Sequence, residues 1–293
     1  MNYCEVSAFT RTPGLGNRAG VVLTEHPVED VYMQQLARHI GAPETAFVEQ
    51  PEGGAVRVRY FTPTQEVEFC GHATVALGLV LAQRGLWRGQ PMTVQSMAGD
   101  VPLSLETEAG LPERIWMQQP KLRVRPVAPA LRKPLAEALG LDARMLDRRL
   151  PLRAAFTGLW SVFVPLVDAR LLETLQPDLG SISALSEQLQ VGSVYAYAPM
   201  GTTTFAARDF APLLGIPEDP VTGSSGGALI AMLTDHGLLP LQSNCARATV
   251  LQGHHLGTPG EVHVEVHTSA GPAPQVWVGG CAVLEREGRW TPC

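Results

Sequence analysis

No stretch of this 293-residue chain is apolar for long enough to cross a bilayer as a helix. The longest run, Ala73 to Ala82, is about half of the ~20 residues a span requires. There is no basic excess either: 22 Lys and Arg stand against 28 Asp and Glu, a net charge of −6, which argues against a nucleic-acid surface. Cysteine is sparse and unpaired in pattern. Cys4, Cys70, Cys245, Cys281 and Cys293 are odd in number and widely scattered, which excludes both a disulfide framework and a spaced metal motif. The N-terminus lacks the charged start and apolar core of a signal peptide, so a reducing cytoplasm is the expected compartment. No GxGxxG turn, phosphate-cradling lysine loop or nucleophile elbow occurs. His254-His255 lacks a nearby carboxylate to complete a metal set and reads as a surface loop.

What is present is a globular composition, 45% hydrophobic and 17% charged. Short β-branched or alternating runs occupy Cys4–Phe9, Ala19–Leu23, Ala55–Thr62, Arg114–Gln118, Ser161–Leu166, Ala248–Leu251, Glu261–His267 and Val276–Leu284. Helical periodicity fits Val31–Ile40, Leu135–Leu139 and Ala184–Leu189. Many strands and few helices predict an α+β fold. Pro120 to Pro134 holds four prolines and five basic residues and reads as a linker between two unequal parts.

The two parts share an ordered pattern. Arg59-x-Phe61-x-Pro63, Cys70-Gly71-His72, Ala76-Leu77 and Gly85-Leu86 are matched by Arg208-x-Phe210-x-Pro212, Thr222-Gly223-Ser224, Ala228-Leu229 and Gly237-Leu238. From the Gly71 and Gly223 pair onward the offsets are identical, and only the loop before the glycine differs, by three residues. This is the signature of an internal duplication. In each copy the glycine opens a segment apolar nearly all round, His72–Gln83 and Ser225–Thr234. Such a segment belongs in the centre of a sheet, with Gly85 and Gly237 as stops.

The residues at the start of those helices carry the chemistry. A helix N-terminus offers unpaired N–H groups and partial positive charge, which suits a carboxylate. Gly71 and Gly223 permit close backbone approach, Ser224 is expected to cap its helix, and His72 to titrate near neutrality. Glu44 lies at the entry to an apolar strand and Asp219 five residues before Ser224. Desolvation of such carboxylates would raise their pKa and suit them to acid–base work. Taken singly, each has a plainer reading: Cys70 as a small buried hydrophobe, His72 as a polar helix end, Glu44 as a strand-edge charge, Asp219 as a turn residue before Pro220.

"ETAFV", "VRVRYFTPTQEVEFCGHATVA" and "GIPEDPVTGSSGGAL", with "GNRAGVVL" and "LQGHHLG", resemble the PhzF-type phenazine-biosynthesis isomerase family, whose fold is that of diaminopimelate epimerase. The resemblance covers nearly the whole chain. It implies two pseudo-symmetric domains, each a β-barrel-like sheet around a central helix, with the active site between them: 1–120, completed by 280–293, and 121–279. It further implies cofactor-independent proton transfer at carbon on a small-molecule carboxylate, and a family in which homodimers are common. On the family pattern Glu44 is the acid/base, His72 and Asp219 are its polar partners, and Gly71, Gly223 and Ser224 are substrate-holding loop ends, with Cys70 beside them. There are departures. Cys70 stands where many members have alanine, Thr222 where a two-thiol epimerase would have its second cysteine, and the arginine usual after "QG" is missing near Thr258.

Three expectations follow. The first is an isomerase with Glu44 as base. The second is an amino-acid racemase or epimerase using Cys70, its thiol acidified by the helix N-terminus, with Glu44. The third is a non-catalytic small-molecule-binding or interaction protein.

Overall fold

A helix that is apolar on every side has no face to offer water and must be enclosed. The computed structural model describes residues 1–49, 54–268 and 273–291 and contains two such helices, one in each of two compact units. The first unit is Met1–Gln118 with Gly279–Cys293; the second is Gln119–Val278. In chain order the first holds β1 (Asn2–Ala8), β2 (Asn17–Thr24), α1 (Asp30–Ile40), β3 (Glu44–Glu49), β4 (Ala55–Phe61), β5 (Glu66–Val67), α2 (Gly71–Gln83), β6 (Met92–Ser96), β7 (Gly99–Glu108) and β8 (Leu111–Gln118). The second holds β9 (Arg123–Pro126), α3 (Arg132–Ala138), β10 (Arg153–Phe156), β11 (Trp160–Pro165), α4 (Leu171–Thr174), α5 (Leu179–Leu189), β12 (Ser193–Pro199), β13 (Thr204–Ala211), β14 (Ile216–Asp219), α6 (Gly223–Asp235), β15 (Cys245–Gln252), β16 (Gly260–His267) and all but the last two residues of β17 (Gln275–Gly280). The last strand, β18 (Ala282–Arg289), pairs with β1 in the first unit. No helix among the described residues is long and apolar enough to cross a membrane.

In the first unit the strands follow the order β18-β1-β2-β3-β4-β6-β7-β8, with β5 as a short ribbon on β4. Two neighbours, β2/β3 and β4/β6, are parallel. Helix α2 packs against β18, β1, β2 and β3 near one end of that order and against β8 at the other. Only a sheet that curls back on itself can touch one helix from both ends. The nine residues Ala73 to Leu81 are all buried, each large apolar side chain contributing roughly 1.5–3 kcal/mol. Gly78 lets β8 approach: a Cβ there would stand 2.8 Å from Ile115 Cγ2.

The second unit repeats the plan as β9-β10-β11-β12-β13-β15-β16, with β14 on β13 and parallel steps at β11/β12 and β13/β15. Helix α6 packs against β10 and β11 from one side of the order and against β15 and β16 from the other. The architecture is thus α+β, a curled sheet around a buried helix in each unit.

The repeated arginines carry the duplication into side-chain detail. Arg59 donates from Nε and Nη2 to Glu66, both at 2.7 Å, and lies 5.2 Å from the Phe61 ring centroid. Arg208 does the same to Glu218, at 2.8 and 2.7 Å, and lies 5.0 Å from Phe210. Each bidentate pair ties a strand to the short ribbon that leads to its central helix.

Several details differ from the sequence reading. The proline-rich seam is not a linker: β9 pairs with β10, and α3 starts within it. Its prolines sit where no ladder donor is lost, Pro126 at a strand end and Pro134 in the first turn of α3. Val276–Leu284 is two strands interrupted at Cys281. β6, β7, β10 and β12 were not anticipated. β12 is buried over six of its seven residues and β7 is mostly exposed, so neither alternates strongly.

The Arg208–Glu218 pair is 5% and 11% exposed, the Arg59–Glu66 pair 29% and 25%. Arg208→Ala leaves a buried carboxylate alone and is expected to cost about 3–5 kcal/mol. Arg59→Ala is expected to cost about 1 kcal/mol. Urea denaturation of both variants checks this, and equal losses would contradict it.

Candidate active site

Glu44 opens β3 directly after the turn that ends α1, and the four residues that follow it are buried. Its carboxylate therefore starts at the rim of the core. Cys70 is the N-cap residue of α2, extended, with no side-chain capping bond, so no cap side chain takes the first-turn N–H groups of the helix. His72 lies one residue inside the helix. These two placements bring three side chains together. His72 Nε2 is 3.2 Å from Glu44 Oε2, and His72 Nδ1 is 3.4 Å from Cys70 Sγ. Glu44 is 17% exposed and His72 10%.

The contacts within the cluster set the charge states of Glu44 and His72 against the pull of burial. Burial pushes the Glu44 carboxyl up, but the hydrogen bond and charge of His72 outweigh it and hold Glu44 below its ordinary value. Burial would likewise strip His72 of its proton. The Cys70 sulfur and the Glu44 carboxylate together override this and lift the ring well above its ordinary value. The Cys70 thiol is pushed up to about 11, by burial first and by Glu44 second, against a smaller opposing effect of His72. At neutral pH the cluster is a carboxylate, an imidazolium and a thiol. Two expectations are corrected here: Glu44 is not raised by desolvation, because it gained a cationic partner, and Cys70 is not acidified by its helix end, because burial disfavours a thiolate and the Glu44 carboxylate repels it further. The three groups offer ligand atoms within 4.8 Å of one another, but a cation would have to displace both the imidazolium and thiol protons to use them.

In the second unit Asp219 ends β14, and Thr222, not Ser224, is the N-cap residue of α6. The Thr222 hydroxyl donates to Asp219 Oδ2 at 2.5 Å and so caps nothing. Ser224 lies inside the first turn, where its carbonyl accepts from Thr157 Oγ1 at 2.8 Å. The expected Ser224 cap is thereby replaced by an open helix end at Gly223-Ser224.

Two residues central to this loop were missed. Gln252 is 1% exposed. Its Oε1 accepts from Thr222 N (3.2 Å) and Tyr195 OH (3.0 Å), and its Nε2 donates to Asp219 O (2.8 Å) and Thr222 Oγ1 (3.1 Å). One amide thus pins the Asp219–Thr222 turn. Gly253 beside it has φ +85°, and a Cβ there would stand 2.3 Å from Thr258 O and 2.8 Å from Pro220 O. The "QG" in "LQGHHLG" was the available signal. His254 and His255 themselves lie exposed in the following turn.

Strand register aligns the two units further. Thr45 faces Phe61 and Val194 faces Phe210. Ser193 therefore occupies the place of Glu44, and Asp209 the place of Tyr60. In the first unit the phenol of Tyr60 meets Thr74 Oγ1 at 2.6 Å. In the second, Asp209 is 1% exposed among Ser225, Ser161 and Ser193, whose hydroxyls link at 2.9 Å, with Ser225 donating to Asp209 Oδ2 at 3.3 Å. Asp219 is its cross-strand neighbour. Burial, and secondarily the Asp219 charge, push Asp209 up to about 7 against the serine and threonine hydroxyls that favour its ionised form.

Asp209 keeps its proton to about pH 7 in the folded chain and releases it near pH 4 when unfolded. Its contribution to stability is therefore lost as pH rises from about 4 to about 7 and is level above that. Asp209→Asn is expected to abolish that slope, gaining stability relative to the native chain across the interval. Thermal melts at stepped pH measure it, and parallel curves would refute it. Gln252→Leu, which removes four hydrogen bonds, is expected to cost at least ~2 kcal/mol in the same assay.

Comparison with known proteins adds to this geometry. Residues 6–288 match the PhzC-PhzF family model, described as phenazine biosynthesis-like protein. A Deinococcus radiodurans protein named as an uncharacterized isomerase is 59% identical over 98% of this chain and 94% of its own length. The trans-2,3-dihydro-3-hydroxyanthranilate isomerase of Pseudomonas fluorescens is 28% identical over 96% of both chains. The crystal structure of a Bacillus anthracis PhzF-family phenazine biosynthesis protein superposes with a TM-score of 0.88 at 28% identity, covering 98% of each chain. With its duplicated curled sheets and its match from end to end, the chain belongs to the PhzC-PhzF family of phenazine biosynthesis-like proteins.

Proposed function

We propose that the protein is an isomerase that moves a proton between carbon positions of a small carboxylated metabolite, without a cofactor, and that Glu44 is the base. The observation that carries this reading is the Glu44–His72–Cys70 cluster at the uncapped N-terminus of α2. A base must be ionised before it can accept a proton, and His72 keeps Glu44 ionised through neutral pH. The imidazolium then supplies the compensating charge as negative charge develops on the substrate, and the open N–H groups at Gly71-His72 receive a carboxylate or enolate oxygen. In the second unit Gly223 and Ser224 present the equivalent open helix end, which suits an anionic group, and Asp219 is the polar group beside it, with Gln252 fixing the turn. The names of the relatives support isomerisation as the reaction class, and the Pseudomonas relative's name describes a substrate that carries a carboxylate on an unsaturated ring.

A racemase using Cys70 as the second base is disfavoured, because a thiol held near 11 is almost wholly protonated at neutral pH. A ligand-binding role without turnover would leave no reason to keep an ionised base against a buried cation.

Incubation with carboxylated metabolites in D₂O, followed by proton NMR, tests the reading. Loss of a specific C–H signal with positional shift is expected. Glu44→Gln should lower the exchange rate by ~10²-fold or more, while Cys70→Ser should retain the positional product. Full turnover by Glu44→Gln, or inversion that disappears in Cys70→Ser, would overturn it. The rate should be level across neutral pH. It should fall in acid as Glu44 protonates below its ordinary value of 4.5 and in base only well above 6.5, where His72 loses its proton.

A further inference from the structure

The β15–β16 hairpin of the second unit carries a second sulfur, nitrogen and oxygen cluster that the proposed reaction does not use. Antiparallel pairing sets Cys245 directly opposite His267 and Arg247 opposite Glu265. Residues two apart on a strand share a face, so Cys245, Arg247, Glu265 and His267 all project from the side opposite Ala246, Ala248 and Val264. The thiol of Cys245, a ring nitrogen of His267 and a carboxylate oxygen of Glu265 lie within 4.8 Å of one another. His267 Nε2 is 3.1 Å from Glu265 Oε2. Arg247 Nε donates to the other oxygen, Oε1, at 2.7 Å, which turns Oε2 toward the histidine.

From these contacts we infer that Cys245, Glu265 and His267 form a binding site for a borderline-soft divalent cation, with Zn²⁺ the best chemical match. The donor set decides the metal. Thiolate plus imidazole favours zinc over magnesium or calcium, which take oxygen ligands. The spacing fits as well. With metal–ligand bonds of about 2.0–2.3 Å in a tetrahedron, ligand atoms stand roughly 3.3–3.8 Å apart. The histidine–glutamate edge is already near that value, and the thiol closes the triangle with a side-chain rotation, since the ladder fixes both strands. The fourth position faces outward, where the His267 and Glu265 side chains are 35% and 22% exposed, and is left for water or an added ligand. Arg247 acts on the carboxylate that binds the ion: it orients Glu265 and by its charge weakens the site, so the affinity is below that of a closed four-ligand centre. Further along the same face, His263 is engaged with Thr249 and Glu261 and is not a fourth ligand.

The probe is Co²⁺ added to the full chain after removal of metals by a chelator. A thiolate bound to cobalt gives a strong near-ultraviolet charge-transfer band, and Zn²⁺ should displace it. The band is expected in the native chain and in Cys70→Ser, absent in Cys245→Ser, and shifted to at least ~10-fold higher cobalt concentration in His267→Ala. The melting temperature should rise with Zn²⁺ in the native chain and stay fixed in Cys245→Ser, whose own transition without metal reports that it folds. A band that survives Cys245→Ser, or disappears in Cys70→Ser, would overturn the assignment, as would the absence of any band. Proton-transfer activity is not the readout, so failure here leaves the Glu44 reading untouched.

Discussion

An all-apolar helix in the middle of a sheet is the constraint on which everything else depends. Helices α2 and α6 cannot lie on a surface, so each sheet must curl until its two ends both reach the helix. Enclosure then leaves only the helix termini near solvent. The C-terminal ends are closed by Gly85 and Gly237, both at positive φ. The N-terminal ends have no capping side chain, Cys70 and Thr222 being turned to other partners. The burial that stabilises the unit is thus also what presents backbone N–H groups and a partial positive charge at a defined place.

Charge at the first site follows from the same enclosure. A carboxylate and an imidazole separately driven toward neutrality by burial do better as an ion pair, and 3.2 Å separation provides one. The second unit shows what the plan becomes without that pair. With Ser193 at the Glu44 position, the carboxyl stands instead on the neighbouring strand, as Asp209, and finds hydroxyls rather than a cation. It keeps its proton as a result. The duplicated framework therefore holds Glu44 ionised through neutral pH in one unit and lets Asp209 keep its proton to about pH 7 in the other.

Much of this was legible in the sequence. The two central helices announced themselves because they contain almost nothing polar, and the duplication because its landmarks fall at fixed offsets. The Glu44–His72–Cys70 grouping followed from family likeness, whereas its charge states did not, since these depend on distances of a few ångströms that spacing along the chain cannot supply. Ser224 was assigned as the cap because Gly-Ser before an apolar run usually is one; the helix begins two residues earlier than expected, at Gly223, and Thr222 is held by Asp219 and Gln252. Gln252 and Asp209 were overlooked because a polar letter reads as surface until a partner is known. The proline-rich segment misled for the converse reason: proline excludes the middle of a ladder but not its ends. Cys293 lies outside the described residues.

The placement of β18 has a consequence for synthesis. This strand pairs with β1, joining Asn2 to Arg289, although the rest of the first unit is complete by Gln118. A nascent chain emerging at about 5–20 residues per second would therefore carry the first unit for roughly ten to thirty seconds with the outer edge of β1 unpaired. That edge is an open template for any other strand in the vicinity. Polysomes translating this message crowd identical incomplete edges together, so the period before release of the chain, rather than the finished protein, is where misassembly between copies is most readily initiated.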